Sequence, residues 1–247
     1  MRRSLLAAPF TALRDLDRWR NPELLAPATV SVTGIGRFTL RARSDDLFHA
    51  FPGREPEILS HIRELANGAG FVDAGANIGF YSVAAASAVG PCGRVYAIEM
   101  LPETASILRR HVALNSASNV TVVESALSEL SGETVEAVVC PGYWGQASIA
   151  LPRQGPVRTI HVKTTTLDEI LAREPFVDLI KLDLEGAEAP ALIGATETLR
   201  KTHKVLFETL DQDSGAQAIL RAAGFEITLL SPTDSLAVSV VLRSRAA

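Results

Sequence analysis

The chain has 247 residues, of which 47% are hydrophobic and 21% are charged, and its net charge is −4 at pH 7. This composition is typical of a folded α/β protein and excludes a disordered chain. The acidic balance provides no broad positive field for nucleic acid or an anionic membrane, so neither is an expected partner. Cys92 and Cys140 form no C-x-x-C pair, which favours a reducing, cytoplasmic location.

Residues 1–55 are predicted to be an N-terminal extension. Residues 1–19 contain a short apolar run that Pro9 interrupts, which predicts an amphipathic surface helix and not an export signal. This helix could serve a homodimer as well as a monomer. Two strand-like runs, ATVSVTG and GRFTLRA, are joined by TGIG and predict a hairpin. No later apolar run approaches the length of a membrane span.

Residues 56–247 are predicted to form the main domain, in which short apolar strands alternate with helices from residue 70 onward. This alternation predicts a parallel sheet that is covered on both faces, and the last two runs, FEITLL and LAVSVVL, predict an antiparallel end. An insertion at about 133–163 breaks the rhythm. Because it carries Tyr143 and Trp144 among glycines, it is a candidate cover over the substrate, although a packed surface loop fits equally well.

The stretch FVDAGANIGFYS, residues 71–82, is a strand–turn–helix junction of the kind that binds a cofactor. Ligands of parallel sheets bind beyond the carboxyl ends of the strands. A dinucleotide would require G-x-G-x-x-G, but Asn77 occupies the position of the middle glycine. S-adenosylmethionine fits better, because it has no phosphate and its cationic sulfonium favours acidic surroundings. Glu99, after the next strand, lies where an acidic residue would bind the ribose diol.

The combination of FVDAGANIGFYS, VYAIEMLPET, TTTLDEIL, IKLDLEGAE and LFETL resembles the FkbM family of S-adenosylmethionine-dependent methyltransferases over roughly residues 55–230. The resemblance implies the Rossmann-like, seven-stranded class I methyltransferase fold, with a mostly parallel sheet and an antiparallel last strand. It also implies O-methylation of a hydroxyl on a sugar or a specialised-metabolite scaffold. One departure is that proline follows Glu99 only at Pro102, two positions later than in the family's usual F-E-P.

The resemblance and the strand positions together suggest which residues bind the cofactor. The turn residues that would line its methionine and ribose side are Asp73, Gly75, Asn77 and Gly79. Glu99 would hold the ribose hydroxyls. The segment over the adenine would include Ser125 and Ala126, although the Ser125 hydroxyl is equally suited to capping.

Methyl transfer to an alcohol requires alignment and a base. If the strand extends through KLDLE, Lys181, Asp183 and Glu185 share one face. Asp183 is then the first candidate for the base or for a contact with the cofactor's amino group, and Glu185 is the second. Repulsion between the two carboxylates would raise one pKa. Lys181 is expected in a structural ion pair, while His161 and His49 are further candidate bases near the pocket mouth.

Candidate substrate contacts are Tyr81, Tyr143, Trp144 and Glu208, and no metal is expected. Core packing explains Tyr81 almost as well, and a solvated strand end explains Glu208 equally well. The expected partner is a hydroxylated small molecule. Two alternatives stay open at this point, namely a non-catalytic S-adenosylmethionine-binding or scaffold protein, and a methyltransferase with an amine or RNA acceptor. Asn77 disfavours a nucleotide-dependent oxidoreductase.

Overall fold

The computed structural model describes residues 24–150, 157–208, 215–231 and 234–240. The predicted amphipathic helix of residues 1–19 lies outside these ranges. The strands are β1 Ala28–Val32, β2 Gly36–Leu40, β3 Gly70–Ala74, β4 Arg94–Ile98, β5 Val120–Val123, β6 Ala126–Leu127, β7 Thr134–Cys140, β8 Tyr143–Ser148, β9 Arg158–Thr165, β10 Val177–Leu182, β11 Thr202–Glu208, β12 Phe225–Leu229 and β13 Asp234–Ser239. The helices are α1 Asp46–His49, α2 Pro56–Arg63, α3 Phe80–Val89, α4 Pro102–Leu114, α5 Leu167–Ile170, α6 Glu188–Ile193, α7 Thr196–Arg200 and α8 Gly215–Ala222.

A seven-stranded sheet forms the centre of the molecule, with the spatial order β12–β13–β11–β10–β3–β4–β5. Strands β5, β4, β3, β10 and β11 run parallel to one another, whereas β13 is antiparallel to both β11 and β12. The predicted fold class, a mostly parallel sheet with an antiparallel last strand, is therefore confirmed.

The two central strands, β3 and β10, are covered by helices on both faces. Their residues Phe71, Val72, Leu179 and Ile180 are each at most 1% exposed. A strand buried on both faces has a continuous apolar sequence because neither face meets water. Such strands bring their carboxyl ends to one edge of the sheet, and the cleft described below lies at that edge.

The β1–β2 hairpin packs against the main domain through Phe38 and Leu40, which are fully buried. The buried His111 of α4 connects the hairpin to the turn after β3. Its Nε2 accepts from the backbone N–H of Thr39 at 2.9 Å, and its Nδ1 donates to the carbonyl of Ile78 at 2.7 Å. The hairpin thus belongs to the same core as the sheet, while the division of the chain at residue 55 stays a prediction.

The inserted segment forms a second sheet with the order β6–β9–β7–β8. After β10 the chain forms two short helices, α6 and α7, and α6 ends at Gly194. A Cβ at this position would lie 2.3 Å from the carbonyl oxygen of Ser128, so the backbone here packs directly against another segment. No helix within the described ranges is long and apolar enough to cross a membrane.

His111→Leu tests the connection between the hairpin and the sheet. The substitution removes the partner of the Thr39 N–H and leaves the carbonyl of the buried Ile78 without this donor, so we expect a loss of about 1–3 kcal/mol in the free energy of unfolding. Urea unfolding measures this loss. The control is His161→Leu, whose side chain is 68% exposed and which should change stability by less than about 0.5 kcal/mol. Equal stability of the two variants would contradict the assigned role of His111.

Candidate active site

A cleft of about 960 Å³, counted out to open solvent, lies at the carboxyl edge of the central sheet. The turns after β3, β4 and β10 line it from below. Strand β8 and the segment between α1 and α2 line it from the other side. Catalytic sites of open α/β sheets occur at this edge, because several strands deliver side chains to the same volume there.

The turn after β3 contributes Gly75 and Asn77 to the cleft wall. Gly75 has φ +78°, and a Cβ there would lie 1.9 Å from the carbonyl oxygen of Asp183, so the turns after β3 and β10 are in direct backbone contact. Asn77 also has a left-handed conformation, with φ +49°. Its amide Oδ1 and Nδ2 are both buried and have no protein partner within the described residues. A ligand in the cleft could satisfy this donor and this acceptor.

Glu99 is the first residue after β4, and its carboxylate is fixed in the cleft wall. Oε2 accepts from the backbone N–H of Asn77 at 2.9 Å, and Oε1 accepts from that of Leu101 at 2.8 Å. Burial raises the pKa of Glu99 to about 7 despite these two hydrogen bonds. Each oxygen retains a second lone pair, so the carboxylate can also accept from ligand hydroxyls.

Two predicted cofactor residues, Asp73 and Gly79, do not line the cleft. Asp73 is fully buried beneath it, and its Oδ2 accepts from the hydroxyl of Ser82 at 2.6 Å. Gly79 precedes α3 with φ +84°, and a Cβ there would meet Leu108 Cδ1 at 2.2 Å. Their role is to hold the turn in place, which corrects the prediction of direct contact.

Ser125 and Ala126 do line the cleft, as expected of the segment after β5. The Ser125 hydroxyl donates to the carbonyl of Lys163 on β9 at 2.7 Å. It therefore connects the cleft wall to the inserted sheet.

Asp183 and Glu185 both line the cleft, but they do not share a strand face. Strand β10 ends at Leu182, and Glu185 has φ +54° in the turn that follows, so strand alternation does not reach it. Lys181 Nζ lies 3.1 Å from Asp183, as expected of an ion pair. Burial alone would raise the pKa of Asp183, but the cations of Lys181 and Arg54 hold it below its usual value. Asp183 is therefore an ionised group suited to binding a cation.

Glu208, at the end of β11, is, besides Glu99, a second cleft carboxyl whose pKa is raised to near neutrality or above. Burial, together with repulsion from Asp183 and Glu185, raises the pKa of Glu208 to about 8. Its Oε2 is buried and has no protein partner among the described residues. The sequence predicted a raised pKa within the Asp183 and Glu185 pair. In the structure the raised pKa belongs to a third carboxyl, that of Glu208, which faces them.

Two of the three aromatic candidates, Trp144 and Tyr81, line the cleft, and Tyr143 does not. Trp144 lines the cleft, and the guanidinium of Arg41 lies 5.0 Å from its ring centre. Tyr81 also lines it and donates to Glu55 Oε2 at 2.5 Å. Tyr143, by contrast, is 36% exposed and is absent from the cleft wall.

His161 also lies outside the cleft, with its side chain 68% exposed and 3.8 Å from Glu136. It points away because strand β9 presents alternate residues to opposite faces, and the next residue, Val162, is the buried one. This corrects its assignment as a catalytic candidate. His49, the other candidate from the sequence, is in the cleft wall.

Sequence reasoning missed Arg54 and Glu55, which precede α2 and line the cleft. Arg54 Nη1 lies 2.8 Å from Glu55, and its guanidinium lies 5.8 Å from the ring centre of Tyr81. Burial would lower the pKa of Arg54, but the facing Tyr81, Glu55 and Asp183 raise it above its usual value. No local sequence motif indicates this pair. It belongs to the site because Arg54 packs against Tyr81, which is distant from it in sequence.

The family described as the methyltransferase FkbM domain matches residues 73–227, more than half of the chain. The chain belongs to the FkbM methyltransferase family. Methyl transfer is therefore its chemistry. This FkbM protein is also 28% identical to methyltransferase sdnD of Sordaria araneosa, over 84% of its own length and 90% of that protein.

Two solved structures share the fold of the FkbM protein. An S-adenosylmethionine-dependent O-methyltransferase of Thermotoga maritima aligns with a TM-score of 0.51 and 14% identity, over 86% of this chain and 77% of that one. Precorrin-6y C5,15-methyltransferase of Geobacter metallireducens aligns with a TM-score of 0.50 and 16% identity, over 75% and 87% of the two chains. At this identity the likeness establishes the class I methyltransferase fold.

No group of three or more His, Cys, Asp or Glu side chains in the described part is arranged to hold a metal ion.

Glu208→Gln tests the charge state of the cleft. The folded-state pKa of about 8 exceeds the ordinary 4.5, so between these values the folded protein keeps a proton that the unfolded chain has lost. The wild type therefore loses stability as the pH rises from 4.5 to about 8, and the variant does not. We expect the Tm of Glu208→Gln relative to wild type to increase between about pH 5 and about pH 9.

Glu129→Gln, on an exposed side chain, is the matched control, and its Tm difference from wild type should stay constant. If the difference for Glu208→Gln is equally constant, Glu208 is ionised in the folded protein and our account of its surroundings is wrong.

Proposed function

We propose that this FkbM-family protein transfers a methyl group from S-adenosylmethionine to a hydroxyl of a small molecule, such as a sugar or a specialised-metabolite scaffold. The observation that carries the proposal is the pairing of two buried groups in one cleft wall. These are the Asn77 amide, which has no protein partner within the described residues, and the Glu99 carboxylate after β4.

The residues present fit the chemistry of S-adenosylmethionine. Glu99 can accept from the two ribose hydroxyls, which is the role of an acidic residue at the end of the second strand in this class of fold. Asn77 offers a donor and an acceptor to the methionine part. Asp183, held ionised by Lys181, can accept from the ammonium group. The bound cofactor would supply an activated methyl group, and the protein has to supply alignment and a proton acceptor.

The cover over the cleft favours a small acceptor. Strand β8 contributes Trp144 and Gly145 to the wall, and the segment before α2 contributes Arg54. An RNA acceptor would require a basic stripe with exposed aromatic side chains, and the net charge of −4 disfavours it. A hydroxyl acceptor agrees with the proton-accepting groups that surround the cleft. A cytoplasmic location and a homodimer stay predictions.

Titration with S-adenosylmethionine, S-adenosylhomocysteine and NAD by calorimetry tests the cofactor. We expect the first two to bind and NAD not to bind. Glu99→Ala should weaken binding about 10- to 100-fold, because a charge-assisted hydrogen bond to each ribose hydroxyl is lost. Glu129→Ala, on an exposed side chain, is the control and should bind like wild type.

Screening of hydroxylated acceptors then tests the reaction, with methylated product detected by mass spectrometry. Folded protein that binds neither S-adenosyl compound would refute the proposal. Cofactor binding with methylation of amines alone would replace the oxygen acceptor with nitrogen. Cofactor binding that never yields a product, with any acceptor class, would favour the non-catalytic alternative.

A further inference from the structure

The segment before α2 places one histidine in the cleft wall. His49 is the last residue of α1, and its side chain is 15% exposed. Among the described residues that line the cleft it is the one histidine. It precedes residues 73–227, so the match to the FkbM domain assigns it no role.

A buried carboxylate holds one nitrogen of this imidazole. Asp45 is 3% exposed, and its Oδ2 lies 3.2 Å from His49 Nε2. The same carboxylate accepts from the backbone N–H groups of Trp144 at 3.2 Å and Gly145 at 2.9 Å. Burial alone would raise the pKa of Asp45, but the contact with His49 and these donors lower it below its usual value. Asp45 is therefore a fixed anion beside the ring.

This contact determines which ring nitrogen can accept a proton. Since Asp45 accepts from Nε2, the neutral imidazole carries its hydrogen on Nε2 and its free lone pair on Nδ1. Within the described residues Nδ1 has no protein partner. A carboxylate on one nitrogen and a free lone pair on the other is the arrangement in which a histidine acts as a general base.

The imidazole also lies next to the turn after β3. A Cβ at Gly145 would be 2.1 Å from His49 Nε2 and 3.0 Å from Asn77 Nδ2. Only a glycine therefore separates the histidine from the amide assigned to the cofactor. The imidazole, which lines the cleft, therefore lies beside the turn that carries Asn77.

We propose that His49, oriented by Asp45, is the general base that accepts the proton of the acceptor hydroxyl. This inference rests on the methyl transfer proposed above. The hydroxyl O–H bond breaks and its proton bonds to Nδ1, while an oxygen electron pair forms the bond to the methyl carbon. The electrons of the breaking carbon–sulfur bond stay on sulfur, which yields S-adenosylhomocysteine. The imidazolium is stabilised by Asp45 and later releases its proton to solvent.

The charged groups that face His49 are consistent with this role. Asp45 contacts it directly, Arg41 lies beyond Asp45, and Asp183 faces it from the turn after β10. Asp183 is a poor rival base because its ion pair with Lys181 holds its pKa low. Glu208 is the serious rival, since burial raises its pKa to about 8.

His49→Gln tests the proposal once an acceptor is known. General-base catalysis contributes about 100- to 10,000-fold, so we expect kcat to fall at least about 100-fold. The Kd for S-adenosylhomocysteine, measured by calorimetry, should stay within about twofold of wild type, because no cofactor contact is removed, and a thermal melt checks that the variant is folded. His161→Gln, which changes an exposed histidine outside the cleft, controls for the substitution itself.

The pH profile provides a second readout. A general base has to be free of its proton to act, so the wild-type activity should show an acidic limb that the residual activity of His49→Gln lacks. Asp45→Asn should lower kcat by a smaller factor, because the ring keeps its nitrogen and loses its anionic partner.

Three outcomes would overturn the proposal. One is an active wild type whose His49→Gln variant keeps kcat within about threefold. A second is a limb near pH 8 that His49→Gln retains and Glu208→Gln abolishes, which would assign the proton to Glu208. The third is methyl transfer to amines alone, since no hydroxyl proton is then removed. A wild type that binds no S-adenosyl compound fails earlier, at the proposed function itself.

Discussion

The backbone contact between the turns after β3 and β10 is the constraint on which the rest of the cleft depends. Gly75 has φ +78°, and the space that a Cβ would need is occupied by the carbonyl of Asp183 at 1.9 Å. Conformation and space therefore both require glycine. Because the two turns touch here, Asn77 on one and Asp183 on the other face the same volume. Without this contact, the ends of the strands alone would not determine where these two side chains lie, because flexible loops would carry them.

Beneath this contact, a buried group of charges sets the ionisation of the cleft. Lys181 is 2% exposed, and its ammonium lies 3.1 Å from Asp183 and 3.9 Å from Asp73. Burial of one ammonium with two carboxylates gives little net stability, because the cost of desolvation offsets the attraction. Its consequence is a division of roles between the carboxyls, since burial raises the pKa of Asp73 while Lys181 helps to keep Asp183 ionised. The residues of KLDLEGAE thus determine that Asp183 is ionised as well as where strand β10 ends.

The parts of this architecture that the sequence predicts are those that depend on local periodicity. Apolar strands alternating with helices were sufficient for the sheet and its antiparallel end, and strand ends indicated Glu99 and Asp183. The predictions fail where a side chain depends on contacts distant in sequence. The left-handed turn at Glu185 interrupts the strand alternation, and no propensity of glutamate indicates it. Arg54 acquires its role only by packing on Tyr81, and the raised pKa of Glu208 comes from carboxylates on other turns.

The cover of the cleft is attached to the turn after β10 and to the N-terminal segment, so it is part of the site's geometry. Asp45 holds β8 through the backbone of Trp144 and Gly145, and Ser148 at the end of β8 donates to the carbonyl of Glu185 at 2.8 Å. The contacts with Asp45 use backbone groups of the cover, so the side chains at positions 144 and 145 do not make them, whereas the contact of Ser148 uses its hydroxyl. A family that shares one cofactor could in this way vary its acceptors.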